Sequence, residues 1–251
     1  MSMTIQRSQE AAGQLAWRFG SQSLAINSQL IVQADECVVV CLNGAVLGVI
    51  TSGNHWLHPQ PFPFLGQAIA GSNVQTELWF VKTTKVMGLQ FGGLVGDVVE
   101  ADLKIPCHVR SFGDFSLVAT NPIAVVVALL SSGTDDSTPL VQWAAGLILH
   151  ELKDIVTMAA EVEEVSFLKP DMVRRISELL PTRLDAFAQA GLQLGEIGSV
   201  TLSISEEDQA ALKAAAQKRA AARNAKVTCG RCNTEHSGGR FCVQCGAPLG
   251  T

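Results

Sequence analysis

The hydrophobic pattern of this chain changes period near its middle, and that change limits the fold more than any other feature. From residue 30 to 42 the run LIVQADECVVVCL is rich in β-branched residues, and Asn43-Gly44 leads from it into AVLGVI. An Asn-Gly pair between two such runs signals a two-residue hairpin, because both residues tolerate the positive φ of a type I′ turn. The stretch His58-Pro59-Gln60-Pro61-Phe62-Pro63 that follows is a loop, since proline lacks the N–H that a central strand donates. Short strands are expected at 76–82, 85–90, 98–105 and 107–118. The glycines of Phe91-Gly92-Gly93-Leu94-Val95-Gly96-Asp97 are expected as turn residues between them.

Beyond residue 137 the period is helical. Leu140, Trp143, Ala144, Leu147, Ile148, Leu152, Ile155 and Val156 recur at helical spacing after a Ser137-Thr138-Pro139 start. A second helix is expected over 170–190, broken at Pro181 and ended by Gly191, before strand-like alternation resumes at 192–204. Alanine and long straight-chain residues dominate 206–226, a composition that favours helix but buries little area. Strands, then helices, then a strand make an α+β fold. The expected division is a polar N-terminal segment at 1–24, a β-rich domain at 25–205, a connecting helix at 206–226 and a cysteine-bearing module at 227–251.

Hydrophobic residues make up 47% of the chain and charged residues 16%, which suits a buried core rather than a solvated, disordered chain. The longest apolar runs, 122–130 and 143–149, fall well short of the roughly 18 residues of a membrane-spanning helix. The polar start MSMTIQRSQEAAGQ lacks the apolar core of a secretory signal, which places the protein in the cytoplasm. Thiols stay reduced there, so metal binding and burial account for the seven cysteines better than disulfides do. Cys37, Cys41 and Cys107 sit in strand-like runs and read as small core residues.

The other four form Cys229-Gly-Arg-Cys232 and, nine residues on, Cys242-Val-Gln-Cys245. A two-residue gap lets both sulfurs of one turn reach the same ion, and two such knuckles complete a tetrahedral shell. Four thiolates leave no open position, so a structural zinc is expected, with iron or a redox pair as the alternatives. Ser237-Gly238-Gly239 is expected to supply the reversal between the knuckles. A module this small, with few apolar residues, should fold only as it binds metal.

The sequence carries no complete catalytic motif. His150-Glu151-Leu152-Lys153-Asp154 departs from the helical zinc-protease pattern at its last ligand, and His55-Trp56-Leu57-His58 lies in a loop without a third ligand nearby. No phosphate-binding glycine loop and no nucleophile elbow occur. An enzyme assembled from distant residues has only the acidic body and His55, His58 and His108 in its favour, so no catalytic residues and no small-molecule substrate are assigned. The charge is lopsided, because residues 211–251 hold seven basic residues against one acidic, while the rest hold 11 against 22. Such a tail suits an anionic partner or the acidic body of a second copy. Nucleic-acid binding through the basic helix and ribbon is therefore the alternative function. Bound thiolates subtract from that charge and Phe241 is the ribbon's sole aromatic, so nucleic acid is the less favoured partner.

The run from Leu30 to Leu57 resembles the opening of the SPFH (stomatin, prohibitin, flotillin; band-7) domain, most of all its bacterial, virion-core-like branch with C-terminal zinc ribbons. Phe91-Gly-Gly-Leu-Val-Gly-Asp97, Ile105-Pro-Cys-His-Val-Arg110, Phe112-Gly-Asp-Phe-Ser116, Asn121-Pro122 and Ala190-Gly-Leu-Gln-Leu-Gly-Glu-Ile197 are similar to that branch's pattern. Phe241-Cys-Val-Gln-Cys-Gly-Ala-Pro-Leu249 resembles the closing knuckle of bacterial zinc ribbons. The resemblance implies a non-enzymatic scaffold that assembles into homo-oligomeric rings, cages or filaments and organises membranes or partner proteins. The chain lacks the N-terminal hydrophobic hairpin of membrane-bound relatives, so peripheral attachment at the inner face of the membrane is expected rather than insertion.

Overall fold

The computed structural model describes residues 3–22, 27–66, 76–224, 227–236 and 240–249. In chain order these form β1 (Thr4–Ile5), a 3-10 turn (Gln9–Ala11), β2 (Ala16–Gln22), β3 (Gln29–Val32), β4 (Glu36–Leu42), β5 (Ala45–Ile50), β6 (Gly53–Trp56), β7 (Thr76–Lys82), β8 (Val86–Val99) and β9 (Pro106–Ala119). There follow α1 (Pro122–Ser132), α2 (Thr138–Glu161), α3 (Pro170–Leu179), a 3-10 turn (Leu180–Arg183), α4 (Ala186–Gln189), β10 (Leu192–Ile204), α5 (Glu206–Asn224), β11 (Val227–Thr228) and β12 (Glu235–His236). The fold is α+β, as expected.

Asn43 and Gly44 take φ of 50° and 81°, and the hairpin they close pairs β4 with β5. These strands belong to a four-stranded antiparallel sheet of order β2-β7-β4-β5, and β4 is buried on both faces. Cys37, Val39 and Cys41 point into one core with Trp79 and Val81 of β7, while Val38 and Val40 point into another with Leu78 and Phe80. Because side chains alternate along a strand, this one sheet separates two hydrophobic layers. A small sheet of order β1-β3-β6 supplies Ile5, Leu30 and Val32 to the second layer. The helices and a long antiparallel sheet of order β10-β9-β8 close the first.

Four expectations need correction. The run 30–42 is two strands, because Gln33 to Asp35 turn between β3 and β4, with the Glu36 carboxylate accepting the Gln33 N–H at 3.0 Å. The glycines of 91–97 lie inside β8 rather than between strands. Gly88 and Gly96, at φ 72° and 141°, sit at register shifts where the strand bulges. A Cβ on Gly93 would stand 3.0 Å from Leu149 of α2, so the bare backbone there lets that helix lie close on the sheet. The expected strand over 98–105 stops at Val99. Glu100 closes the turn into β9, its carboxylate accepting Leu103 N–H at 2.7 Å and its N–H donating to Ile105 O at 2.8 Å. Finally, the polar segment through residue 24 contributes β1 and β2, and β2 pairs antiparallel with β7.

The helices follow their signals. The apolar run from Pro122, weighed in sequence only as too short to cross a membrane, forms α1: Asn121 Oδ1 accepts the Ala124 N–H at 3.2 Å, and Gly133 ends the helix at φ 65°. Helix α2 buries Leu140, Ala144, Ile148, Leu152, Ile155 and Val156 of the expected stripe, while Leu147 is half-buried and Trp143, at the edge of the stripe, is exposed. The next helix breaks at Pro181, with α3 giving way to a 3-10 turn. The alanine-rich α5 docks on the domain, as Leu212 is buried, Arg219 donates to Asp102 O at 2.6 Å and Asp208 accepts the His108 N–H at 2.9 Å. Among the described residues no helix is long and apolar enough to cross a membrane.

Candidate metal centre

The C-terminal module is built from two turns of the same design. Cys229 N–H donates to Thr234 O at 3.0 Å and Asn233 N–H to Cys229 O at 2.8 Å; Cys242 N–H donates to Ala247 O at 2.7 Å and Gly246 N–H to Cys242 O at 2.9 Å. Asn233 and Gly246, each directly after the second cysteine of its pair, have φ of 58° and 69°. A left-handed residue there folds the chain back, so that both sulfurs of a Cys-x-x-Cys face one point. The short ladder β11–β12 leads out of the first knuckle, and a bridge between Phe241 and Pro248 closes the second. The reversal expected at 237–239 lies outside the described residues.

The two knuckles bring Cys229, Cys232, Cys242 and Cys245 together, with all four Sγ atoms within 4.8 Å of one another. Cys229 and Cys245 sulfurs are 3.6 Å apart, and those of Cys232 and Cys242 are 3.4 Å apart. Cys229 and Cys242 are buried, Cys245 is half-buried and Cys232 is exposed. Backbone N–H groups aim at the sulfurs: Arg231 at Cys229, and Gln244 and Cys245 at Cys242, each at 3.4 Å. The Thr234 hydroxyl lies 3.2 Å from Cys232 Sγ, and this contact, with the Thr234 amide, brings the Cys232 thiol down to about 6. At Cys245 the Ala247 amide acts to lower the thiol, but desolvation and the other three sulfurs push it up to about 12. Four sulfurs this close cannot all ionise alone, because like charges in one site repel; a cation at the centre removes that conflict. The group can hold a metal ion.

One neighbour was not foreseen. His236, on β12, is buried, and its Nε2 lies 3.0 Å from Cys242 Sγ. Nothing in the spacing of the cysteines marks it, since β-ladder pairing with Val227 brings it there.

The remaining histidines do not form a site. The stretch 55–58 is not all loop as expected, because pairing with β3 puts His55 on β6, where its Nε2 contacts Thr51 O at 2.9 Å; His58 lies in the loop beyond, its Nδ1 accepting the Gln60 N–H at 3.1 Å. His108 lies on β9 between Asp97 at 3.3 Å and Asp208 at 3.6 Å, where it joins α5 to the sheet. His150 is exposed on α2, and Glu151 beside it faces Arg183 at 3.8 Å. The basic tail is partly engaged as well, through the bond from Arg219 to Asp102.

In comparison with known families, the sequence model of the SPFH domain-Band 7 family matches residues 16–220, from the start of β2 into α5. The four cysteines lie beyond that match. Comparison with curated proteins returns no match.

Proposed function

We propose, on the premise that the chain belongs to the SPFH domain-Band 7 family, that it is a non-enzymatic scaffold whose copies assemble into a homo-oligomer at a membrane surface or on partner proteins. The observation that carries this reading is the extent of the family match, which takes in both long sheets and most of α5. Family members are in general membrane-associated scaffolds. In this reading residues 25–205, with β2 added, are the SPFH-like body, 206–226 connect it to the ribbon, and 227–251 are the ribbon of a virion-core-like relative acting from the cytoplasmic side. An uncharged α1 that leaves Ile123 and Val127 exposed supports contact with another protein surface.

The ion proposed for the ribbon is zinc, in a structural role. A Zn–S bond of about 2.3 Å in a tetrahedron sets sulfurs about 3.8 Å apart, and two of the pairs here, at 3.4 and 3.6 Å, fit within a small outward shift. An all-thiolate shell without an open position holds shape and does not activate water.

Light scattering on the purified chain, with negative-stain imaging of the same fractions before and after chelation, tests the assembly. A regular particle many times the 26.6 kDa chain mass is expected. A monodisperse monomer at micromolar concentration overturns the scaffold reading.

A further inference from the structure

Cys242 is the most heavily hydrogen-bonded corner of the sulfur cluster. It is 2% exposed, it accepts the amides of Gln244 and Cys245, and His236 Nε2 stands 3.0 Å from its sulfur. His236 is itself 8% exposed, too enclosed for its ring nitrogen to be satisfied by bulk water. Its position is set by the ladder that pairs it with Val227, so the ring is presented to the sulfur by backbone structure and not by chance rotation of an exposed side chain. The donor atoms that lie within 4.8 Å of one another are the four sulfurs alone; His236 is outside that set, so its imidazole is not a fifth ligand.

We propose that His236 is the outer partner of the metal centre, donating its Nε2–H to the metal-bound thiolate of Cys242. The inference rests on the metal reading of the four cysteines and adds a role to a residue that the spacing does not reveal. A divalent ion held by four thiolates carries a formal charge of about −2, and that charge must be dispersed where the sulfurs are buried. Among the described residues no Lys or Arg side chain is bonded to any of the four sulfurs, so the work falls to neutral donors. Each knuckle has one side-chain partner at a sulfur: Thr234, whose hydroxyl oxygen accepts from the Cys232 thiol at 3.2 Å, and His236 at Cys242. The two residues are separated by one position at the start of β12, so they lie on the same side of the extended chain and both face the cluster. Donation at Cys242 withdraws electron density from the sulfur, fixes its direction and shields it from electrophiles.

The test uses the full chain with Co2+ as a spectroscopic stand-in, followed by competition with a chelator of known affinity, on the wild type, His236→Leu and His236→Gln. Leucine keeps bulk and burial but removes the donor; glutamine keeps an N–H at similar reach. All three are expected to give the absorption of a four-sulfur tetrahedral site. His236→Leu should bind metal about tenfold or more weakly, shift the sulfur-to-cobalt charge-transfer band to longer wavelength and speed alkylation of the bound thiols. His236→Gln should recover most of each. Unchanged affinity and band position in His236→Leu overturn the proposal, as does equal loss in both variants, which would mean that ring shape and not the donor matters. A change from four-sulfur to three-sulfur absorption in His236→Leu would make His236 a ligand and overturn it too. Failure of the wild type to form a four-sulfur site would instead overturn the metal reading itself.

Discussion

Arg7 and Glu36 form a buried ion pair, with Nε of the first 2.6 Å from Oε2 of the second and their side chains 6% and 1% exposed. The remaining guanidinium nitrogens donate to Ala11 O at 3.0 Å, Gln14 O at 2.9 Å and Phe80 O at 2.8 Å. One side chain thus joins the N-terminal segment to β4 and β7.

Removing Arg7 leaves the Glu36 carboxylate buried with only the Gln33 amide. Arg7→Met should cost about 3–5 kcal/mol in urea unfolding, the range for breaking one side of a buried pair. Arg7→Met with Glu36→Leu should be less destabilised than Arg7→Met alone, because no orphaned charge remains.

Leu212 is the buried apolar anchor of α5, whose other apolar positions are alanines. Leu212→Ala should cost about 2 kcal/mol, the low end for a buried leucine beside an existing cavity of about 400 Å³. It should also open α5 to limited proteolysis before the rest of the domain.

The His108 amide, followed by the Ser205 hydroxyl, holds Asp208 below its ordinary 3.8. Because the folded value is the lower one, ionised Asp208 favours docked α5. That contribution is complete above the unfolded value and fades as pH falls through the folded one. Hydrogen exchange at the first turn of α5 should therefore quicken below about pH 4, and Asp208→Asn should abolish that acid-dependent step.

Thiol reactivity should separate the seven cysteines into two classes. Burial pushes Cys37, Cys41 and Cys107 up to about 11, 12 and 11. Chelation followed by a thiol reagent at neutral pH should expose Cys229, Cys232, Cys242 and Cys245 while the other three stay unmodified. Modification of all seven at one rate would show that the body opens when metal is withdrawn.

A Cβ on Gly113 would meet Ser199 O at 2.1 Å, where β9 and β10 pair. Gly113→Ala should part those strands and cost about 3 kcal/mol, the upper end for overpacking, seen as a lowered melting temperature.

By itself the sequence determined whatever depends on neighbours a few positions apart. Asn43-Gly44 makes the hairpin, Pro181 breaks the helix, the stripe from Leu140 to Val156 buries its face, and each Cys-x-x-Cys curls its two sulfurs to one side. Tertiary structure decided what depends on partners far along the chain. The glycines of β8 stay in strand because β9 supplies the ladder on one side and α2 needs bare backbone on the other. The polar segment before residue 24 becomes sheet because β7 offers β2 an open edge and Arg7 finds Glu36. The alanine-rich helix lies on the body through Leu212, Arg219 and Asp208, and His236 meets Cys242 across a ladder no spacing rule describes. Local signals act through backbone torsion and periodicity, which any short window contains; pairing, docking and the surroundings of a sulfur are set by free energies between residues that only the folded chain brings together.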